Sequence, residues 1–166
     1  MDTTRRTLSM AAVWCAAAGL PGCASPGPVV GLSPEQVAGL QALGFERDAE
    51  GWLLNLGTRL QFDFGSSTLT TGALASLQRL ATTLIELKIR ACRVEGHADE
   101  VGTVVFNQLL SERRAEAVAR ALVAAGLPYE GIRAVGFGKR KPVSDNQTDE
   151  GRAQNRRVVL IALAPK

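Results

Sequence analysis

Aromatic residues are scarce: two Trp, one Tyr and five Phe make up 5% of the chain. So few ring faces offer little stacking platform for single-stranded nucleic acid. Charge of one sign is also in short supply. The formal net charge is +3 and the pI near 9.0, but Lys and Arg are interspersed with acids and form no block. That balance implies a weak attraction to anionic polymers and no nucleic-acid partner. His97 is the only histidine, and Cys15, Cys23 and Cys92 are the only cysteines. Without a second histidine or a neighbouring thiol pair there is no zinc set, so neither a metal nor a cofactor is expected. No apolar run reaches the ~20 residues that a membrane-spanning helix needs. The longest covers residues 8–20. An internal repeat is lacking too, and with 46% apolar and 21% charged residues over 166 positions the composition fits one globular domain.

What is present starts with the N-terminus. Arg5 and Arg6 precede the short apolar run, which closes on Leu20-Pro21-Gly22-Cys23. This pattern suits a signal peptide, and its last four residues resemble a lipobox, the cleavage site of bacterial lipoproteins, with Pro21 an unusual occupant. In that reading Cys23 becomes the lipidated first residue. Thr4-Arg5-Arg6-Thr7-Leu8 resembles a twin-arginine export signal, although a plain basic n-region explains the two arginines more simply. Cys15 would then be removed and Cys92 left alone as a small buried hydrophobe, so no structural disulfide is expected. The expected division is a signal peptide over 1–22, a lipidated cysteine and flexible Pro/Gly/Ser tether over 23–31, a short helix and lead-in strand over 32–58, and the main domain over 59–166.

Ser33-Pro34-Glu35 predicts a helix start, with Ser as N-cap and Pro in the first turn, running to about Gly44. Alternation of Trp52, Leu54, Leu56 and then Leu60, Phe62, Phe64 predicts one or two strands broken around Gly57. Ala73, Leu77, Leu80, Leu84 and Leu87 recur at helical spacing and form one apolar stripe. A strand over 91–96 follows, then a helix over about 104–125 stopped by Gly126, a strand over 132–137, a polar loop over 138–154 and a last strand over 157–163. The order β-α-β-α-β-β predicts an α/β sandwich, two main helices packed on one mixed sheet of about four strands.

Chemistry concentrates between Gly96 and Ala115. Asp99 falls just after a strand end, in a loop leading into a helix, where α/β folds place ligand contacts. On the following helix Asn107, Leu110, Arg114, Ala117 and Ala121 share a face. An arginine in such a row is either snorkelling to solvent or held for a partner. Beside Asp99 it would form a plain salt bridge, or a pair complementary to a zwitterion in which Asp99 takes the ammonium and Arg114 the carboxylate. His97 is read as a loop organiser hydrogen-bonded to backbone, with a general-base role as the rival. Gly151-Arg152-x-x-Asn155-Arg156 is read as capping a helical turn and pinning the final loop, with a glycan or phosphate contact by Arg152, Arg156 and Arg157 as the rival.

These residues resemble a known family. Phe62-Asp63-Phe64-Gly65-Ser66, Glu95-Gly96-His97-Ala98-Asp99, Asn107-x-x-Leu110-Ser111-x-x-Arg114-Ala115 and Gly151-Arg152-x-x-Asn155-Arg156-Arg157-Val158 stand in the order and spacing of the outer-membrane-protein-A C-terminal-like domain. That peptidoglycan-associating module is shared by the Pal lipoproteins and flagellar MotB. The resemblance covers about two-thirds of the chain and implies non-covalent binding of the peptidoglycan stem peptide through diaminopimelate. In the family scheme the residues matching Asp99 and Arg114 hold the zwitterionic end, and Asp63, Ala98 and Asn107 match positions lining the same pocket. Ala98 stands where the family usually has threonine, so affinity depends on whether that hydroxyl touches the ligand.

The expected protein is thus an outer-membrane lipoprotein on the periplasmic face, anchored by lipid on Cys23, binding peptidoglycan and catalysing nothing. One alternative is a wall-binding subunit of a larger envelope complex with protein partners. Another is a peptidoglycan hydrolase using His97, Asp99 and Glu100. It lacks a placed nucleophile, and two adjacent carboxyls cannot flank one glycosidic bond.

Overall fold

In the computed structural model the described residues are 31–57, 60, 62 and 65–163. The segment expected as signal peptide, Cys23, the expected tether up to residue 30, and Asp63 lie outside them. Four helices pack with a five-stranded mixed sheet of order β1-β2-β5-β3-β4. The strands are β1 (Glu46–Asp48), β2 (Gly51–Asn55), β3 (Cys92–Gly96), β4 (Ile132–Gly136) and β5 (Val158–Ala162). The helices are α1 (Pro34–Ala42), α2 (Thr71–Glu86), α3 (Val104–Ala124) and α4 (Asp149–Asn155). Only β3 and β4 run parallel, joined through α3; the other neighbours are antiparallel.

The α/β sandwich is as expected, with one strand more. The extra strand is β1, three exposed charged residues at the sheet edge; without apolar alternation it leaves no strand signal. The alternation from Trp52 yields β2 alone, and Leu60 and Phe62 are not in a strand. β2 pairs with β5, inside the sheet. The polar stretch expected as loop contains α4, a seven-residue helix too short to show a periodic stripe.

The core forms because each element presents one apolar face. Thr70 caps α2 through Ala73 N–H, and Ala73, Leu77, Leu80, Ala81 and Leu84 are buried along one side. Each leucine contributes about 1.5–3 kcal/mol by leaving water. They meet Leu54, Cys92, Val94 and Leu160 from the sheet in one cluster. Ser33 and Gln36 form a reciprocal capping box on α1. Gln36 Nε2 also donates to the Leu87 carbonyl at 2.9 Å, docking α1 to the end of α2.

Two glycines set how closely α3 lies on the sheet. A Cβ on Gly96 would stand 2.0 Å from the Ser111 carbonyl oxygen, and one on Gly136 would stand 2.6 Å from the Glu112 nitrogen. This close approach brings the end of β3, and therefore Asp99, beside the middle of α3.

Candidate ligand-binding site

Gly65, Ala98, Asp99, Val101, Phe106, Asn107, Leu110, Arg114 and Arg156 surround one small cleft of about 30 Å³ at the carboxyl end of β3. Of the expected site residues the fold therefore brings Ala98, Asp99, Asn107 and Arg114 together. Asp63 and Cys23 lie outside the described residues.

Asp99 is 7% exposed and held at several points. Its Oδ1 accepts from Val101 N–H at 3.0 Å, an Asx turn that fixes the carboxylate at the cleft. Asn107, buried on the first turns of α3, donates from Nδ2 to the carbonyls of Asp99 (3.2 Å) and Val101 (2.9 Å). Asn107 thus shapes the loop backbone by its amide. Ala98 is buried and its N–H donates to the Gly138 carbonyl at 2.8 Å.

Arg114 is only 4% exposed, so it does not snorkel. Its Nε donates to the Ser66 carbonyl at 2.9 Å, and its guanidinium lies 5.0 Å from the centre of the Phe62 ring. Burial lowers its pKa from the ordinary arginine value, the nearby Arg156 adds to this, and Asp99 opposes it.

Asp99 pairs with Arg156, whose Nη1 lies 2.8 Å from Asp99 Oδ2. Arg156 follows α4, and within the motif expected to pin the loop it is Asn155, fully buried, that does so. Its side-chain oxygen accepts from the N–H groups of Val143 and Ser144, and its Nδ2 donates to the Ser144 carbonyl and to Asn146 Oδ1. Arg152 helps, donating to the Asn146 carbonyl at 2.7 Å. With the loop fixed by Asn155, Arg156 is free to project into the cleft. Among the described residues the cleft therefore holds one carboxylate and two guanidiniums, an arrangement complementary to a ligand bearing an ammonium beside a carboxylate.

His97 also departs from expectation. Its backbone N–H donates to the Arg157 carbonyl, but neither ring nitrogen has a hydrogen-bond partner among the described residues. The ring is 2% exposed and stacks on Phe137 with centroids 5.4 Å apart. Burial, then Arg157 and Lys141, push its pKa down to about 3. A ring so buried, and not among the residues around the Asp99 cleft, has no ready access to a water or substrate there. No cluster of metal-ligating side chains occurs among the described residues.

A family model described as the OmpA family matches residues 61–156. The chain is 42% identical over 146 residues to the outer-membrane lipoprotein YfiB of Pseudomonas aeruginosa, covering 88% of this chain and 87% of that one. It is 36% identical to the peptidoglycan-associated lipoprotein of Rhizobium meliloti, covering 86% and 80%. Among solved structures, the peptidoglycan-associated lipoprotein from Burkholderia pseudomallei superposes with a TM-score of 0.58 at 38% identity, covering 63% of this chain and 88% of that one.

Proposed function

We propose, from the premise that this chain belongs to the OmpA family, that it binds peptidoglycan non-covalently and ties the outer membrane to the cell wall. The observation carrying this reading is the convergence of Asp99, Arg114 and Arg156 on one cleft. The amino-acid end of the diaminopimelate side chain offers the matching groups. Its ammonium is placed against Asp99, whose oxygens each keep a lone pair beyond the bonds to Val101 and Arg156. Its carboxylate lies between the guanidiniums of Arg114 and Arg156. The cleft holds little more than one water as it stands, so the ligand enters as Arg156, whose side chain is 41% exposed, swings away from Asp99.

The reading is one of binding without catalysis. Asp99 and Glu100 are adjacent, His97 is held neutral and buried, and no serine or cysteine is among the described residues lining the cleft. Lipid on Cys23 would place the domain on the periplasmic face of the outer membrane. Co-sedimentation of the full-length chain with purified sacculi tests the reading. Wild type should pellet with the wall and Arg114→Ala should remain in the supernatant. Equal pelleting of a folded Arg114→Ala would overturn the site.

A further inference from the structure

The sheet face turned away from α2 and α3 holds a charged cluster that the wall-binding cleft does not use. A cavity of about 370 Å³ lies there, with Glu50, Glu95, His97, Lys141 and Arg157 around it and Val159 and Ile161 among its apolar lining. Arg93 Nε donates to Glu95 Oε1 at 2.7 Å, and its Nη2 bonds Glu50. Lys141 Nζ stands 3.3 Å from Glu50 Oε1 and 4.0 Å from Glu95 Oε2. Two carboxylates are thus shared by two cations.

Arg157 is a third cation, and it is the deepest. It is 8% exposed; Nη2 donates to the Lys141 carbonyl at 3.2 Å, while Nη1 has no hydrogen-bond partner among the described residues. Both ring nitrogens of the neighbouring His97 are in the same state. Asp48 at the rim is exposed, with its carboxylate turned onto the Ala49 N–H. Buried charged donors are costly to leave unmet. The unmet groups are mostly donors: the two N–H of Arg157 Nη1 and one N–H of a neutral imidazole. Around the cavity Arg93, Lys141 and Arg157 balance Asp48, Glu50 and Glu95, and Glu95 Oε2 stands 3.6 Å from His97 Nε2, so the N–H groups of Arg157 Nη1 are what call for an acceptor. A cation or a purely apolar ligand would leave those donors unmet.

We infer that this cavity is a binding site for a small oxyanion, a carboxylate or phosphoryl group, held by Arg157 Nη1 with the Lys141 ammonium at the rim. Arg156 and Arg157 are consecutive yet serve opposite faces of the sheet, so this site is distinct from the Asp99 cleft. Lys141, Pro142 and Val143 of the 138–148 loop form one wall of the cavity.

His97 supplies the reporter, because it is the only histidine in the chain. The untagged full-length protein in detergent is titrated with inorganic phosphate and, separately, with acetate, following the His97 ring resonances by NMR. Chloride at matched ionic strength is the control. A saturable shift is expected with at least one of the two oxyanions, and the tighter one tells phosphoryl from carboxyl. Lys141→Ala and Arg157→Gln should each weaken it by about tenfold or more, the scale of one lost charge-assisted bond. If Arg157→Gln does not fold, Arg157→Lys and Lys141→Ala keep the test. Shifts no larger than those with chloride, or equally tight binding by a folded Lys141→Ala, overturn the assignment.

Discussion

Replacing Asp99 by asparagine separates a binding role from a structural one, because the amide keeps the shape and removes the charge. In the free protein the substituted amide can still accept from Val101 N–H through its oxygen, as the carboxylate does. What is lost is the pair with Arg156, at 2.8 Å. Arg156 is 41% exposed on its side chain, so solvent screens the pair and its worth is at most about 1 kcal/mol. Melting should fall by only a few degrees. The ligand sees a larger change, since a charge-assisted contact to its ammonium is worth about 1.5–3 kcal/mol. That is roughly a ten- to hundredfold loss of affinity. Quantitative co-sedimentation with sacculi, read beside thermal melting of the same preparations, measures both. Arg114→Gln should lose a comparable factor, and the Asp99→Asn, Arg114→Gln double variant less than the product of the two, because both hold one ligand group. Wild-type binding should weaken with added salt, and walls with amidated diaminopimelate should bind less well. An Asp99→Asn variant that melts near wild type and binds sacculi within about twofold of it would rule out the carboxylate as a ligand contact.

Cys23→Ser should abolish fatty-acid labelling and release the protein from the outer-membrane fraction; retained labelling would refute the lipid anchor. Sacculi incubated with wild type should yield no soluble muropeptides, and release that depends on His97 would favour the hydrolase. Gly96→Ala should unfold the domain or cost more than about 3 kcal/mol, since its Cβ meets the Ser111 carbonyl at 2.0 Å; chemical denaturation checks it. The His97 pKa of about 3 lies below its unfolded value near 6.5. The unfolded chain therefore binds the extra proton first as pH falls. Stability tied to this group is complete above about pH 6.5 and is lost progressively towards pH 3, by about 5 kcal/mol in all. A His97→Phe variant, still able to stack on Phe137, should show a flatter dependence of melting temperature on pH over that window. An unchanged slope would contradict the buried neutral ring.

Elements with a strong period were legible in the sequence, and those built from charge or tertiary contact were not. The α2 stripe and the α3 boundaries follow from leucine spacing and from Gly126. β1 has no apolar face to betray it, and α4 is about two turns, tied to the preceding loop by the hydrogen bonds of Asn155. The site divides in the same way. Asp99 and Arg114 could be singled out because each breaks a local pattern, an acid at a strand end and a buried guanidinium in a row of small residues.

Arg156 breaks no pattern in a stretch already rich in arginine, so nothing local marks it as the partner of Asp99, 57 positions away. The alternation of side chains at a strand end supplies the missing signal. β5 begins at Val158, and its paired neighbour β3 ends at Gly96. Residues entering one strand and leaving the other therefore lie side by side, with successive side chains on opposite faces. His97 and Arg157 fall on the face away from the helices, while Ala98 and Arg156 fall beside α3. An Arg-Arg pair immediately before a last strand thus places one cation on each face, and Asp99 reaches the first because the chain leaves the pleat after His97 and is held by Asn107 beside α3. The acid on the α3 side meets the first arginine, and the second is left to find its counter-charge on the other.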